Sequence, residues 1–106
     1  MNKFRNVKIE LDGIRFDSKK EANRYAELKM LARSGIISNL ELQKRFHLTV
    51  NGVKVCDYIA DFSYQDQSGR AVVEDAKGMR SGAAYAVFRL KAKLMIACHG
   101  LRVVEV

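Results

Sequence analysis

The dipeptide Asn51-Gly52 separates two runs in which apolar and polar residues alternate, "LELQKRFHLTV" (40–50) and "VKVCDYIADFSY" (53–64). An Asn-Gly pair between such runs is the strongest short-range signal for a two-residue type I′ turn, because both turn positions need a positive φ. The sequence therefore predicts two long antiparallel strands joined by a tight turn. The rest of the chain must cover and extend this hairpin.

Turn and cap signals also organise the N-terminal segment. An Asp-Gly pair at 12–13 predicts a smaller type I′ hairpin over residues 7–16. Ser18, followed by Glu21 three residues later and by apolar residues at helical spacing, predicts the start of a helix that Gly35 ends. A helix therefore connects the small hairpin to the long one.

Three more elements are expected in the second half of the chain. They are a strand over 70–77 after a turn at 65–69, a helix over 83–100 ended by Gly100, and a closing strand over 101–106. The order after the first hairpin is α-β-β-β-α-β, which predicts one α/β domain over residues 1–106. Its mixed central sheet is flanked by helices, with the hairpin in 1–16 and the core in 17–106.

The charge balance favours a polyanionic partner. Lys and Arg number 19 against 12 Asp and Glu, for a net charge of +7, and no acid occurs between Ala76 and Val104. No apolar run is long enough to cross a membrane and no secretory signal is present. Cys56 and Cys98 are unclustered and are expected to be reduced thiols. We therefore expect a cytoplasmic protein without a membrane or organic cofactor.

Charged residues converge at the end of the predicted strand 70–77. Because side chains alternate along a strand, Asp75 and Lys77 share one face, and pairing through the 65–69 turn sets Asp61 beside Asp75. Glu21, in the first turn of the first helix, is expected to bring a third carboxylate. Mg²⁺ binds such carboxylates together with substrate phosphate oxygens. A lysine beside them stabilises the developing charge or orients a water, so the group suits phosphodiester cleavage.

Asp61, followed after thirteen intervening residues by Asp75-Ala76-Lys77, resembles the motif of the PD-(D/E)XK nuclease superfamily, whose core has the α-β-β-β-α-β order. The stretches "FDSKKEANRYAELK", "LELQKRF", "YIADF" and "VVEDAKG" resemble a small phage-borne family of uncharacterised function. That family is distantly similar to archaeal Holliday-junction resolvases and to transposon end-cleaving nucleases. The motif's proline is Ala60 here, at a position that does not touch metal.

The resemblance implies a restriction-endonuclease-like fold and a role for each matching residue. Asp61 and Asp75 are implied as metal ligands, with the carbonyl of Ala76, for Mg²⁺ or for Mn²⁺ as its substitute. Lys77 is implied as the catalytic lysine and Glu21 as the catalytic carboxylate of the helix and an additional metal ligand. Gln43 is expected to face the site and to hold a water or a phosphate.

Several of these residues also fit a purely structural role. Glu21 completes a capping box with Ser18, and a carboxylate folded back onto the cap cannot reach a metal. Asp75 and Lys77 also fit an exposed ion pair of little energetic consequence. Glu74 is expected on the helix-covered side or at the exposed end of the strand, supporting the site or paired with a basic residue. A register slip of one position would exchange the roles of Glu74 and Asp75.

The second helix carries a basic set and an apolar set. Arg80 in the loop 78–82, with Arg89, Lys91 and Lys93 on the helix, is expected to bind DNA phosphates; a solvated helix face is the alternative. The apolar stripe expected to face the core consists of Val87, Leu90, Leu94, Ala97 and Cys98.

These observations predict a magnesium-dependent DNA endonuclease. The resemblance implies that it acts on branched or structured DNA in phage DNA processing. Because a domain of 106 residues offers little surface to grip a duplex, we expect it to act as a homodimer or else with a partner. Two alternatives use the same residues differently: a non-catalytic basic DNA-binding module, and an assembly factor that binds protein.

Overall fold

A computed structural model describes residues 8–78 and 80–106. Val7, the first residue of the predicted small hairpin, and Met79, in the predicted loop, lie outside this description. The elements, in chain order, are β1 (Ile9–Leu11), β2 (Ile14–Phe16), α1 (Lys19–Arg33), β3 (Ser38–Val50), β4 (Val53–Gln65), β5 (Ala71–Asp75), α2 (Ala83–His99) and β6 (Val103–Glu105). No helix in this described part is long and apolar enough to cross a membrane.

Both predicted hairpins are confirmed. Asp12 and Gly13 have φ values of 56° and 75°, and Asn51 and Gly52 have φ values of 51° and 79°. Two consecutive positive values are the signature of a type I′ turn, whose twist matches that of the flanking strands. β1 pairs antiparallel with β2, and β3 pairs antiparallel with β4 over most of their length. The long β3–β4 hairpin is the scaffold of the fold.

The main sheet has the strand order β3-β4-β5-β6. β4 and β5 are antiparallel, whereas β5 and β6 are parallel because α2 connects them. The predicted mixed sheet with two helices and an N-terminal hairpin is therefore confirmed. The predicted strand over 70–77 was too long, since β5 ends at Asp75 and Lys77 follows it.

Helix α1 begins where its sequence predicts. The Ser18 side chain accepts a hydrogen bond of 3.1 Å from the backbone N–H of Glu21, which satisfies one of the free donors of the first turn. The buried side of α1 packs with β2 and one half of the sheet. This first core consists of Phe16, Ala22, Tyr25, Leu28, Ile37, Phe62 and Tyr64.

A second core lies between α2 and the other half of the long hairpin. It consists of Leu48, Tyr58, Ala60, Val73, Phe88 and Met95. The two cores divide β4 between them, because Tyr58 and Ala60 belong to the second core whereas Phe62 and Tyr64 belong to the first. Strict alternation along a strand would place all four on one face, and β4 departs from it. The change of side falls at Asp61.

The expected apolar face of α2 was also partly wrong. Phe88 and Met95 are the buried residues of this helix, and of the predicted stripe Leu94 and Cys98 pack against the second core. Val87 and Leu90, expected in the core, are exposed by 52% and 59%. The helix is thus apolar on two sides, of which only one packs on the sheet.

A buried ion pair attaches α1 to β5. The guanidinium of Arg24 donates two hydrogen bonds, of 2.7 and 2.6 Å, to the two carboxylate oxygens of Glu74. Tyr64 also donates its hydroxyl to Glu74, which is only 2% exposed. Glu74 therefore faces the helix and pairs with a basic residue, as the sequence predicted.

Removing one partner of this pair should lower the free energy of unfolding far more than removing both partners. Arg24→Leu leaves a buried carboxylate without its cation, so we expect a loss of about 3–5 kcal/mol in the free energy of unfolding. The double variant Arg24→Leu/Glu74→Gln should recover most of that loss. Urea denaturation measures both. The control is Lys8→Met, which removes an exposed pair with Asp17 and should cost at most about 1 kcal/mol. Equal losses in the single and double variants would contradict the expected coupling.

Candidate functional site

The predicted catalytic residues surround one cleft of about 750 Å³. Its walls are the N-terminus of α1, the middle of β3 and β4, the segment that follows β5 and the N-terminal half of α2. Glu21, Asp61, Asp75 and Lys77 all line this cleft, together with Ala76. The fold therefore brings together residues that lie up to 56 positions apart in the sequence.

Asp61 is held in place from two sides. The side-chain amide of Gln43 donates to its Oδ1 at 3.2 Å, and the backbone N–H of Ala76 donates to its Oδ2 at 2.9 Å. The second bond joins β4 to the chain just beyond β5. Asp61 is thereby fixed next to Asp75, as the antiparallel register predicts from the neighbouring pair Phe62–Glu74.

Gln43 has an unusual backbone for a residue inside a strand. Leu42 pairs with Phe62 and Lys44 with Ala60, so Gln43 lies opposite Asp61. Its φ is 53°, in the left-handed region that side chains other than glycine seldom occupy. Such strain costs about 1–3 kcal/mol and tends to occur at functional sites. The strained residue lies where the buried side chains of β3 and β4 pass from the first core to the second.

Asp75 is buried and has two different neighbours. Tyr58 donates its hydroxyl to Asp75 Oδ2 at 2.7 Å, and the Lys77 amine lies 3.5 Å from the same oxygen. The Lys77 amine also lies 4.1 Å from the centre of the Phe88 ring, a cation–π contact. Burial and the bond to Asp75 raise the pKa of Tyr58, so its hydroxyl stays protonated as a donor.

Two carboxyl groups in the cleft hold their protons unusually tightly. Burial and the adjacent Asp61 carboxylate raise the pKa of Asp75 to about 7, although Tyr58 and Lys77 act in the opposite direction. Burial and the charges of Asp61 and Asp17 raise the pKa of Glu21 to about 7. Both shifts arise chiefly from burial, and the Asp61 carboxylate adds to each.

Glu21 forms only half of the predicted capping box. Its backbone N–H is bonded to Ser18, but within the described residues its carboxylate makes no return bond to the cap. The side chain lines the cleft instead, where the charge of Asp61 helps to raise its pKa. Capping by Ser18 therefore leaves the Glu21 carboxylate free for the cleft.

The donor set fits a hard divalent cation in part. Across residues 8–78 and 80–106, no group of three or more His, Cys, Asp and Glu side chains converges closely enough to hold a metal. The predicted three-carboxylate cluster is therefore not assembled. Asp61 and Asp75 remain as an adjacent pair with excess negative charge, and one or two carboxylates are sufficient for Mg²⁺ when water and phosphate complete the shell.

The cleft also contains residues that the sequence did not identify as functional. One of them is Tyr58, whose hydroxyl donates to Asp75. Lys20 lines the cleft and donates to the backbone carbonyl of Lys77 at 2.7 Å. Arg45 and Asp57 line it as well and form an ion pair of 2.9 Å. Asp57 lies at alternate spacing from Asp61, so strand periodicity alone could have indicated it.

The predicted DNA-binding residues are not all in the same place. Lys91 lines the cleft. Arg80 lies 3.4 Å from Glu105, on the strand beside β5. Arg89 and Lys93 are exposed on α2 outside the cleft.

Comparison with known proteins finds one family. Residues 1–100 match the family described as "Protein of unknown function (DUF1064)". No curated protein and no solved structure matches the chain.

The raised pKa of Asp75 predicts how stability depends on pH. A carboxyl whose folded pKa lies above its ordinary value of 3.8 stabilises the fold below that value. This contribution is lost as the pH rises to about 7. Asp75→Asn, which keeps an acceptor for Tyr58, should therefore raise the melting temperature at pH 8 by about 4–8 °C and change it little at pH 4. Thermal unfolding without divalent metal measures this. Glu10→Gln, on the exposed side of β1, is the control; a similar shift there, or none at Asp75, would contradict the prediction.

Proposed function

Because the chain belongs to the DUF1064 family of proteins of unknown function, we propose its activity from the cleft: it is a divalent-metal-dependent DNA endonuclease of PD-(D/E)XK type. The fold would accordingly be restriction-endonuclease-like. The reaction is the hydrolysis of a phosphodiester, in which a water oxygen bonds to phosphorus and one P–O ester bond breaks. We propose that it acts in the cytoplasm, that of the host if the gene is phage-borne, on branched or structured DNA.

One observation carries this proposal. Asp61 and Asp75 are adjacent in a cleft, fixed by donors from three different elements, with the Lys77 amine 3.5 Å from Asp75. An exposed ion pair of no function would need neither this anchoring nor the burial of Asp75, which is 4% exposed. Two carboxylates side by side in a buried cleft are unfavourable unless one is protonated or a cation binds between them.

Asp61, Asp75 and the carbonyl of Ala76 would hold the Mg²⁺, with Mn²⁺ as its substitute. When bound, the cation would stabilise the negative charge that develops on the phosphate and make a water more acidic. Glu21 would lie beside this group rather than complete it. No organic cofactor is required for such a reaction.

The side chains of the cleft have complementary roles in the proposed reaction. The Lys77 amine would donate to a non-bridging phosphate oxygen as its charge grows. The Glu21 carboxylate, with a pKa near 7, would accept a proton from the attacking water. Tyr58 and Gln43 would not react; they hold Asp75 and Asp61 in position through the bonds described above.

Cations at the cleft rim fit the phosphates on either side of the cut. Lys20, Arg45 and Lys91 lie on three different walls of the cleft. Arg80, Arg89 and Lys93 would extend this positive surface beyond the cleft. The net charge of +7 provides long-range attraction to DNA.

A non-catalytic DNA-binding module is the second candidate. The observation that favours it is the lack of a three-residue metal cluster in the described part of the chain. The binding module gives no reason for the close approach of Asp61, Asp75 and Lys77. The two carboxylates beside the lysine repel a phosphate and therefore weaken its binding. The assembly factor gains no comparable support.

Cleavage assays distinguish the two candidates. The wild-type protein should cut supercoiled, flapped or four-way DNA with Mg²⁺ or Mn²⁺ and not with EDTA. Lys77→Ala and Asp61→Asn should each lower the rate by at least about 100-fold, because each removes a group that acts on the developing charge. Arg70→Ala is the control, since it removes one exposed cation from the turn before β5, outside the cleft.

The enzyme proposal fails if the wild-type protein cuts none of these substrates with any metal. Wild-type activity retained in Lys77→Ala would indicate a contaminating nuclease. If the wild-type protein is inactive and the Asp75→Asn variant binds DNA normally, the binding module is favoured.

The contribution of the basic rim to DNA binding can be measured without cleavage. Lys91→Ala should weaken binding to a nicked duplex by about 3–10-fold and reduce the salt slope, d log K/d log[salt], by about 1 in magnitude. Fluorescence anisotropy in Ca²⁺ or EDTA, across several salt concentrations, measures this without cleavage. Arg70→Ala, outside the cleft, should leave both values unchanged. An unchanged slope in Lys91→Ala would remove Lys91 from the proposed DNA surface.

A further inference from the structure

The outer half of the long hairpin projects past the rest of the sheet. Within the described residues, 53–61 of β4 pair only with β3, because the pairing of β4 with β5 is confined to residues 62–65. Helix α2 covers one face of this two-stranded part, where Phe88 packs with Leu48 and Tyr58. The other face is largely exposed. We call residues 45–50 and 53–59 the hairpin arm, and its exposed face carries Arg45, His47, Lys54, Asp57 and Ile59.

One carboxylate holds three basic side chains on this face. Asp57 accepts hydrogen bonds from Arg45 Nη1 at 2.9 Å and from Lys54 Nζ at 3.0 Å, and His47 Nδ1 lies 2.7 Å away. His47, Lys54 and Arg45 hold the pKa of Asp57 well below its ordinary value, so this carboxylate stays charged. The side chains of Arg45, His47 and Lys54 remain exposed by 56%, 65% and 55%. Their other nitrogen atoms are therefore available to a ligand.

Lys54 reaches Asp57 because β4 contains a bulge. In a regular strand, side chains three residues apart point to opposite faces. Here the residues of β3 that pair with Lys54 and Cys56 are consecutive, which leaves Val55 without an opposite residue. Such an extra residue changes the direction of the side chains beside it. The bulge thus adds a third basic side chain to the exposed face.

The arrangement orders positive charge without cancelling it. An arginine and a lysine share a single aspartate, so the group keeps a net positive charge. Lys54 lies opposite Thr49, which is four residues from Arg45 along β3, or about 13 Å. Each strand of a DNA duplex places one phosphate about every 3.4 Å along its axis. The row of basic side chains therefore spans about four phosphates.

The row begins at the cleft and leads away from it. Three residues of the exposed face also line the cleft: Arg45, Asp57 and Ile59. From Asp61 in the cleft to Gly52 at the turn, β4 extends over nine residues. That distance is about 30 Å, the length of about nine base pairs. In the other direction from Asp61, the same face of the sheet packs against α1 through Phe62 and Tyr64. A duplex on this face can therefore leave the cleft only toward the turn.

We infer that the exposed face of the hairpin arm is the docking site for one duplex segment of a DNA substrate, which leaves the cleft toward the turn at residues 51–52. The inference rests on the proposed nuclease function for the identity of the ligand. It adds a substrate class, DNA with at least about nine base pairs of duplex on one side of the cut. On the other side the DNA can be unpaired, because α1 occupies the surface that a second duplex segment would need. Forked and flapped DNA meet this condition.

Fluorescence anisotropy in EDTA tests the docking site without cleavage. With a forked DNA that has a long duplex segment, Lys54→Ala should weaken binding about 3–10-fold, and Lys54→Ala/His47→Ala should weaken it further. Asp57 keeps a basic partner in both variants, so the circular dichroism spectrum should not change. Arg70→Ala is the control, because it removes one exposed cation outside the arm and the cleft.

The length of the duplex provides a second control. With a forked DNA of about four base pairs, the duplex ends before Lys54, so wild type and both arm variants should bind alike. Equal affinity of the wild type and the arm variants for the long duplex overturns the docking site. Binding of poly-glutamate in preference to DNA also overturns it, and would indicate an acidic protein as the partner.

A cysteine-tethered iron–EDTA probe, activated with ascorbate and peroxide, tests the direction of the duplex. In a Cys56→Ala/Cys98→Ser background, a probe on Val55→Cys should cut the duplex about six base pairs from the fork. A probe on Arg70→Cys should not cut there. Cutting of the unpaired strands from Val55→Cys would overturn the proposed direction.

The docking site and the nuclease activity fail separately in these experiments. If the wild-type protein cuts no DNA with any metal, but Lys54→Ala weakens binding as expected, the nuclease proposal fails and the docking site stands. If the wild-type protein cuts DNA and Lys54→Ala binds the long duplex like the wild type, the docking site fails and the nuclease proposal stands.

Discussion

The bidentate ion pair between Arg24 and Glu74 determines where the first helix lies relative to the cleft. It fixes α1 on β5 through a nearly fully buried carboxylate, with Tyr64 as a third partner. Glu21 precedes Arg24 by three residues and lies almost one turn away, so the same bond sets the position of its carboxylate at the cleft. Because neighbouring side chains of a strand point in opposite directions, Asp75 is then directed to the other face, toward Tyr58. Two adjacent acids thereby acquire unrelated roles, one structural and one at the site.

The arrangement of side chains in the cleft lowers the stability of the fold. Asp61 and Asp75 repel each other, Gln43 occupies a strained backbone conformation, and the folded state raises the pKa of two carboxyl groups. The surrounding fold offsets these costs with bonds that hold each group rigidly. A folded domain has only about 5–15 kcal/mol of stability in total. Such a concentration of unfavourable terms is therefore retained only where the arrangement has a use, and the binding of a cation would relieve all of the repulsion.

Local signals in the sequence determined the elements well. Both type I′ turns, the Ser18 cap, the Gly100 helix end and the order of strands and helices follow from a few residues each, and the structure has all of them. The alternation of apolar and polar residues did not predict which face of the sheet each residue occupies along the whole of a long strand. The alternation of β4 continues unbroken in the sequence, whereas the strand changes sides at Asp61, opposite a left-handed residue in another strand. Tyr58 was missed for a related reason: a buried tyrosine looks the same in sequence whether or not its hydroxyl holds a carboxylate.

Helix α2 shows a limit of a different kind. Its apolar residues form two stripes, one through Phe88 and Met95 and one through Leu90, and spacing alone cannot tell which packs on the sheet. Phe88 and Met95 pack in the second core with Leu94 beside them, whereas Val87 and Leu90 are exposed. The side of an apolar helix that meets the sheet depends on how the helix is oriented there. That orientation is set by contacts between residues far apart in the chain, such as those of Phe88 with Tyr58, and the spacing within the helix does not contain it.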